Sequence, residues 1–264
     1  MVTYYWINLD KAKERRLFME EQFKRNGIKN KRVAAYSPVD LDTILMDKPP
    51  YNCGYPECIQ NGCKNCPIEY SVVCSHLRAI EEGYKSGEDY FIVCEDDIGF
   101  PFEVDFEKML HGIPKEIDII QMMVITEGHT NYFYNNFYKN KIYFIRYNPI
   151  TPSAGFYLIR REGAKKLLDL YLDKATNKYN FQNCKFLKLA DVLIYQSVNT
   201  IVSTMPLSIP NINFNSQIHK EHEESILNPA HYKIMEVIKD NGGENPFIKR
   251  WYYPLEEVEN LFKS

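Results

Sequence analysis

The chain has 264 residues, 45% of them hydrophobic and 25% charged, with a formal net charge of −3 at neutral pH. That length can bury a sizeable core, and the near-neutral balance gives no global basic field to support a nucleic-acid partner. No run approaches the roughly 20 apolar residues that a membrane-spanning helix needs, and the opening "MVTYYWINLDK" lacks the basic region and the longer apolar run of a secretory leader, so a cytoplasmic protein is expected.

Thr3 to Leu9 is an aromatic and β-branched run that reads as a first strand ending in "NLD". Asp10 is placed to cap a helix over "KAKERRLFMEEQFKRN", with Leu17, Met19 and Phe23 as its apolar positions and Gly27 closing it. "KRVAAY" gives a second strand. From about residue 37 to residue 66 the chain is polar, Pro- and Gly-bearing and rich in cysteine, and reads as an irregular insertion. A helix then runs from Pro67 to Ser86 with Val73, Leu77, Ile80 and Tyr84 on one stripe.

"YFIVCEDDIGF", Tyr90 to Phe100, is an apolar strand that ends abruptly in Glu95, Asp96 and Asp97. "FEVDFEKMLHGI" predicts a helix and "EIDIIQMMVI" a buried strand, while Gly128 to Tyr147, aromatic and Asn-rich, suggests a long hairpin or irregular lobe. "SAGFYLIRREGAKKLLDLYLD" turns from strand to helix, "LKLADVLIYQSV" is a short helix, and the tail from about residue 206 reads as mostly irregular. The alternation of strands and helices, with no internal repeat, implies an α/β fold with a mixed sheet flanked by helices. It is read as a single domain over residues 1–264.

Ligands of open α/β sheets bind beyond the carboxyl ends of the strands, which is where "NLD" and "EDD" both fall. In an extended segment Glu95 and Asp97 point to one face and Asp96 to the other. Two carboxylates on one face suit Mg²⁺ or Mn²⁺, hard cations that complete their shell with water and substrate phosphate. A solvated turn is the simpler explanation of the triplet taken alone.

Cys53, Cys58, Cys63 and Cys66 lie within fourteen residues, spaced C-x4-C-x4-C-x2-C. In a reducing compartment this favours a structural Zn²⁺ over two disulfides, with unpaired thiols as the third option. Cys74, Cys94 and Cys184 are read as small core residues.

Four stretches in order, "YYWINLDKAKERR", "SVVCSHLRAI", "YFIVCEDDIGF" and "AGFYLIRREGAKKLL", resemble glycosyltransferase family 25 over roughly residues 3 to 210. The resemblance implies a GT-A-type fold, a UDP-galactose or UDP-glucose donor, a saccharide or hydroxylated polypeptide acceptor, and Mn²⁺ or Mg²⁺ at the acidic motif. On that basis Asp97 is the principal metal ligand and Glu95 a ligand through water or a ribose contact. Asp96 would brace the turn or touch the sugar, and Asn8 and Arg15 would approach the nucleotide. His76 matches the family's Ser-His pair, as a donor contact or as a support for the acidic strand end. In "IEYSVVCSH" the family's Gly-Glu-x-Gly-Cys-x-x-Ser-His keeps Glu69, Ser75 and His76, and Val72 takes the cysteine position.

Transfer with inversion, also implied by the resemblance, needs a base for the acceptor hydroxyl. Asp191 is the first candidate and Glu127 the second; a helix N-terminal acid is the plainer account of Asp191. His219 lies where such enzymes supply a further metal ligand, in a polar tail that would equally expose a surface histidine. Two other activities are weighed against the transferase: a non-catalytic, zinc-stapled binding module, and a nucleotidyltransferase.

Overall fold

Residues 2–54, 65–149, 151–214, 226–241 and 244–262 are described by the structure, a computed structural model of the chain. The first part runs β1 (Tyr4–Asn8), α1 (Lys13–Asn26), β2 (Asn30–Ala34), α2 (Leu41–Ile44) and α3 (Cys66–Ser86). There follow β3 (Tyr90–Cys94), β4 (Ile98–Gly99), β5 (Phe102–Val104), α4 (Phe106–His111), β6 (Ile119–Gln121), α5 (Glu127–Asn136) and β7 (Phe144–Arg146). The remainder comprises β8 (Phe156–Arg160), α6 (Arg161–Tyr171), β9 (Leu172–Asp173), β10 (Lys178–Tyr179), α7 (Ala190–Gln196), β11 (Thr200–Ser203), β12 (Ile209–Pro210), α8 (Asn228–Asp240) and β13 (Ile248–Trp251).

Seven strands form one mixed sheet in the order β2-β1-β3-β8-β6-β11-β7. β2, β1, β3, β6 and β11 share a direction, while β8 and β7 run against them. Every residue of β1 is buried, because both faces of the sheet are covered. Tyr4 and Trp6 point to the side of α1 and α8, against Met19, Phe23, Phe100 and Phe156. Tyr5 and Ile7 point to the side of α3, α6 and α7, with Val73, Leu77, Leu167 and Leu193. The period-2 alternation of β1 therefore feeds two cores at once.

α3 is drawn onto the sheet by Val73, Leu77 and Ile80, all fully buried. Its approach is so close at Gly83 that a Cβ there would lie 2.2 Å from the Phe91 ring. Among the described residues no helix is long and apolar enough to cross a membrane.

Several expectations are corrected. α1 begins at Lys13 with Ala12 before it and no side-chain cap, since Asp10 pairs with Arg32 instead. Its buried face is Arg15, Met19, Gln22, Phe23 and Asn26, and Leu17 is 65% exposed. Two of its polar residues bond inward: Arg15 donates to Asp96 and Asp97, and Gln22 donates to the Ile98 carbonyl at 3.1 Å and accepts from the Phe100 amide at 2.6 Å. The segment expected as a hairpin or irregular lobe holds the helix α5, capped by the Thr126 hydroxyl, and the edge strand β7. The tail expected to be irregular contributes α8, whose Ile234, Val237 and Ile238 are fully buried. Within the insertion, α2 and a short 3-10 turn at Pro38–Asp40 are ordered elements.

Candidate active site at the carboxyl end of the sheet

β3 delivers its carboxyl end to the rim beside Asn8, the last residue of β1. The chain stops being extended at Glu95 and bends through Asp96 and Asp97, so the expected side-chain alternation does not continue past the strand. Asp96 turns inward, where it is held at both oxygens. Asn8 Nδ2 donates to Oδ2 at 2.6 Å and Arg15 Nη1 donates to Oδ1 at 2.8 Å. The same Nη1 donates to Asp97 Oδ2 at 2.9 Å, so one guanidinium ties the two aspartates together. Asn8 is in turn gripped by Arg32, whose Nε donates to its side-chain oxygen at 2.9 Å.

Glu95 goes to the opposite side. Its Oε1 lies 3.2 Å from His76 Nε2, while His76 Nδ1 lies 3.2 Å from the Tyr157 hydroxyl. The imidazole is 1% exposed, so it supports Glu95 from behind. The Glu95 and Asp97 side chains are 33% and 29% exposed, whereas that of Asp96 is 9% exposed. Asp96 is thus the brace, and its two neighbours are the carboxylates that face outward.

Charge at this strand end is unbalanced. Burial pushes the Asp97 carboxyl up to about 7; Arg15 pulls it down, and Glu95 and Asp96 push it further up. Asp96 is also raised, by burial working against Arg15 and Asn8. Two aspartates share one guanidinium, with the charge of Glu95 nearby, which leaves an excess of negative charge; the outward-facing Glu95 and Asp97 are oxygen donors of the kind Mg²⁺ or Mn²⁺ takes. Among the described residues no three His, Cys, Asp or Glu side chains are grouped to hold an ion by themselves. A cation held by Glu95 and Asp97 would therefore take further oxygens from water or a substrate diphosphate.

On the neighbouring antiparallel strand, Glu95 N–H donates to the Gly155 carbonyl at 3.0 Å. Asp191 reaches this region from the first turn of α7: its Oδ2 accepts from the Ser153 amide at 3.1 Å. Burial raises the Asp191 carboxyl; the Ser153 amide works against that and the charge of Glu95 adds to it. Asp191 thus satisfies the helix-terminus description and also sits on the rim. Glu127 is exposed at the first position of α5, where it complements the helix dipole, and among the described residues it makes no contact with the carboxylate group.

His219, Cys58 and Cys63 lie outside the described residues. Cys53 and Cys66 are buried together, with the Cys53 amide donating to Cys66 Sγ at 3.3 Å. Arg32, Tyr157 and Ser153 were not among the expected site residues. "KRVAAY" offers no pattern that sends Arg32 across to β1, and Tyr157 reads as one more apolar strand position.

The model of glycosyltransferase family 25, described as an LPS biosynthesis protein family, matches residues 1–181. The chain belongs to glycosyltransferase family 25. Membership implies glycosyl transfer, between a sugar donor and an acceptor that both have to be bound. The match includes Asn8, Arg15, His76 and the three acids, and stops short of Asp191 and of residue 210, where the sequence resemblance was expected to end. No curated protein matches the chain.

Proposed function

We propose that the protein is a metal-dependent hexosyltransferase of GT-A type, moving galactose or glucose from a UDP-sugar to a saccharide or hydroxylated polypeptide with inversion. The observation that carries the reading is the division of labour at the end of β3. Asp96 is locked inward by Asn8 and Arg15, while Glu95 and Asp97 are left facing outward on a charge-strained rim. Glu95 and Asp97 would hold Mn²⁺ or Mg²⁺, which supplies charge neutralisation at the leaving diphosphate. Arg15 fixes the spacing of the two aspartates, and His76 with Tyr157 fixes Glu95.

Asp191 is the general base of this reading. The carboxylate is held by the Ser153 amide, with the amides of Asp191 and Val192 also bonding to it, and takes the proton of the acceptor hydroxyl as it attacks. Burial favours that proton, since it raises the affinity of the carboxyl for it. An in-line displacement develops oxocarbenium character on the transferred sugar, which the nearby acids would stabilise.

The test is a donor screen. UDP-galactose and UDP-glucose are incubated with the protein with and without Mn²⁺, and UDP release is followed. Metal-dependent release that falls about 100-fold or more in Asp97→Asn supports the reading. Release that is indifferent to metal and to Asp97 would refute it.

A further inference from the structure

Ser153 stands in the left-handed region of backbone space, at φ 128°, which a non-glycine residue adopts only when its surroundings impose it. The surroundings are identifiable. Helix α7 clasps this one residue at two points: Asp191 Oδ2 accepts from its amide at 3.1 Å, and one turn further on the Tyr195 hydroxyl donates to its carbonyl at 3.0 Å. From the other side Gln121, the last residue of β6 and fully buried, donates through Nε2 to the same carbonyl at 3.0 Å. That Nε2 also lies 3.2 Å from the carbonyls of Met123 and Thr151, so a single side-chain amide pins the whole turn to the sheet.

The turn also connects the two halves of the rim. The Glu95 amide donates to the Gly155 carbonyl at 3.0 Å, the Gly155 amide to Ser153 Oγ at 3.0 Å, and the Ser153 amide to Asp191. Three hydrogen bonds in series therefore run from the acidic end of β3 to the carboxylate on α7. Loops are otherwise compliant, and a carboxylate that must meet an acceptor hydroxyl within hydrogen-bond reach gains from such a fixed spacer.

We propose that Ser153, clamped by Gln121 and Tyr195, is a positioning residue that sets the orientation of the Asp191 carboxylate and its distance from Glu95. The inference rests on the reading of Asp191 as the general base. It assigns the strained turn a task in transfer itself: an imposed φ at Ser153 aims the amide at Asp191. The groups that face the Asp191 carboxyl are Glu95 from the end of β3, Tyr147 beyond β7, and Tyr195 on its own helix.

The test uses Tyr195→Phe, which removes one hydroxyl and keeps the ring, and Gln121→Met as the second variant. UDP release from UDP-galactose with Mn²⁺ is measured for each, alone and combined with Asp191→Asn. Tyr195→Phe is expected to lower kcat about tenfold with KM within about twofold, and to add nothing in the Asp191→Asn background, because groups that act as a unit are non-additive. An equal further loss in that background, or a change in KM alone, overturns the positioning role while leaving Asp191 as base. If Asp191→Asn keeps wild-type kcat, the base assignment fails, and this inference with it. Amide exchange at Ser153 provides a readout without turnover. It should accelerate about tenfold or more in Asp191→Ala, and equal exchange in the two proteins would overturn the proposal.

Discussion

His76 Nε2 lies 3.2 Å from Glu95 Oε1, with the imidazole almost wholly buried between that carboxylate and the Tyr157 hydroxyl. The contact joins the Ser-His motif of α3 to the acidic motif of β3, nineteen positions apart in sequence. It accounts for a buried histidine inside a helix by its support of Glu95.

Replacing His76 by Ala should therefore act on the cation and on stability. The variant leaves Glu95 unsupported, and apparent Mn²⁺ affinity is expected to fall about tenfold, as for other partners that orient metal-binding side chains. Loss of buried volume and of the Tyr157 contact should cost about 2 kcal/mol. Titration of UDP release with Mn²⁺, together with urea denaturation, checks both. Unchanged metal dependence would sink the first part.

Arg15 pairs with both Asp96 and Asp97, at 2.8 and 2.9 Å. Arg15→Met should destabilise the fold by about 3–5 kcal/mol at neutral pH, since it leaves buried carboxylates uncompensated. The double variant Arg15→Met, Asp96→Asn should recover part of that loss by removing one of the stranded charges. Chemical denaturation midpoints decide it; a double variant no better than the single would contradict this electrostatic account.

The raised Asp97 carboxyl gives a pH dependence of definite sign. Its folded pKa, about 7, lies above the ordinary aspartate value near 3.8. The protonated form is the one the fold prefers, so this contribution to stability is complete below about pH 4 and is lost as pH rises through about 7. In metal-free protein Asp97→Asn should be more stable than wild type at pH 8, on the order of 2 kcal/mol, and equal to it near pH 4. Added Mn²⁺ should stabilise wild type and leave the variant unmoved. Thermal melts across this range test both statements.

Gly83→Ala should be costly although alanine favours helices. The added Cβ would meet the Phe91 ring at 2.2 Å, in the packed layer between α3 and β3. Overpacking there is expected to cost about 1–3 kcal/mol. A melting temperature equal to or above that of wild type would show that the layer can shift.

Legibility in the sequence followed local signal strength. Tyr90–Cys94 and the passage from β8 into α6 carry strong apolar patterns and turn up where their residues place them. α5 was missed because "EGHTNYFYNN" is rich in residues of modest helix propensity and presents a weak apolar stripe. α8 did announce itself, with Pro229 in its first turn and Ile234, Val237 and Ile238 at helical spacing, but the polar stretch before it invited an irregular reading of the whole tail. The strand-end position of the acid triplet could be read from the sequence. Which acid turns inward could not, because that depends on Asn8, Arg15 and Arg32 converging from other elements.

The reversed strand β8 has a consequence for how this rim can change. In an all-parallel sheet the rim at the carboxyl ends is supplied only by segments leaving a strand. Here β3 departs through Glu95–Asp97, and β8 arrives beside it through Ser153–Gly155. Departure and arrival belong to different loops, separated by more than fifty residues of chain. The chain ahead of Thr151 can therefore vary without altering the stretch that carries the acids, while the turn from Thr151 to Gly155 stays pinned by Gln121 and Asp191. An architecture of this kind lets one side of the rim drift while the other stays fixed, with the Glu95–Gly155 backbone bond as the seam between them.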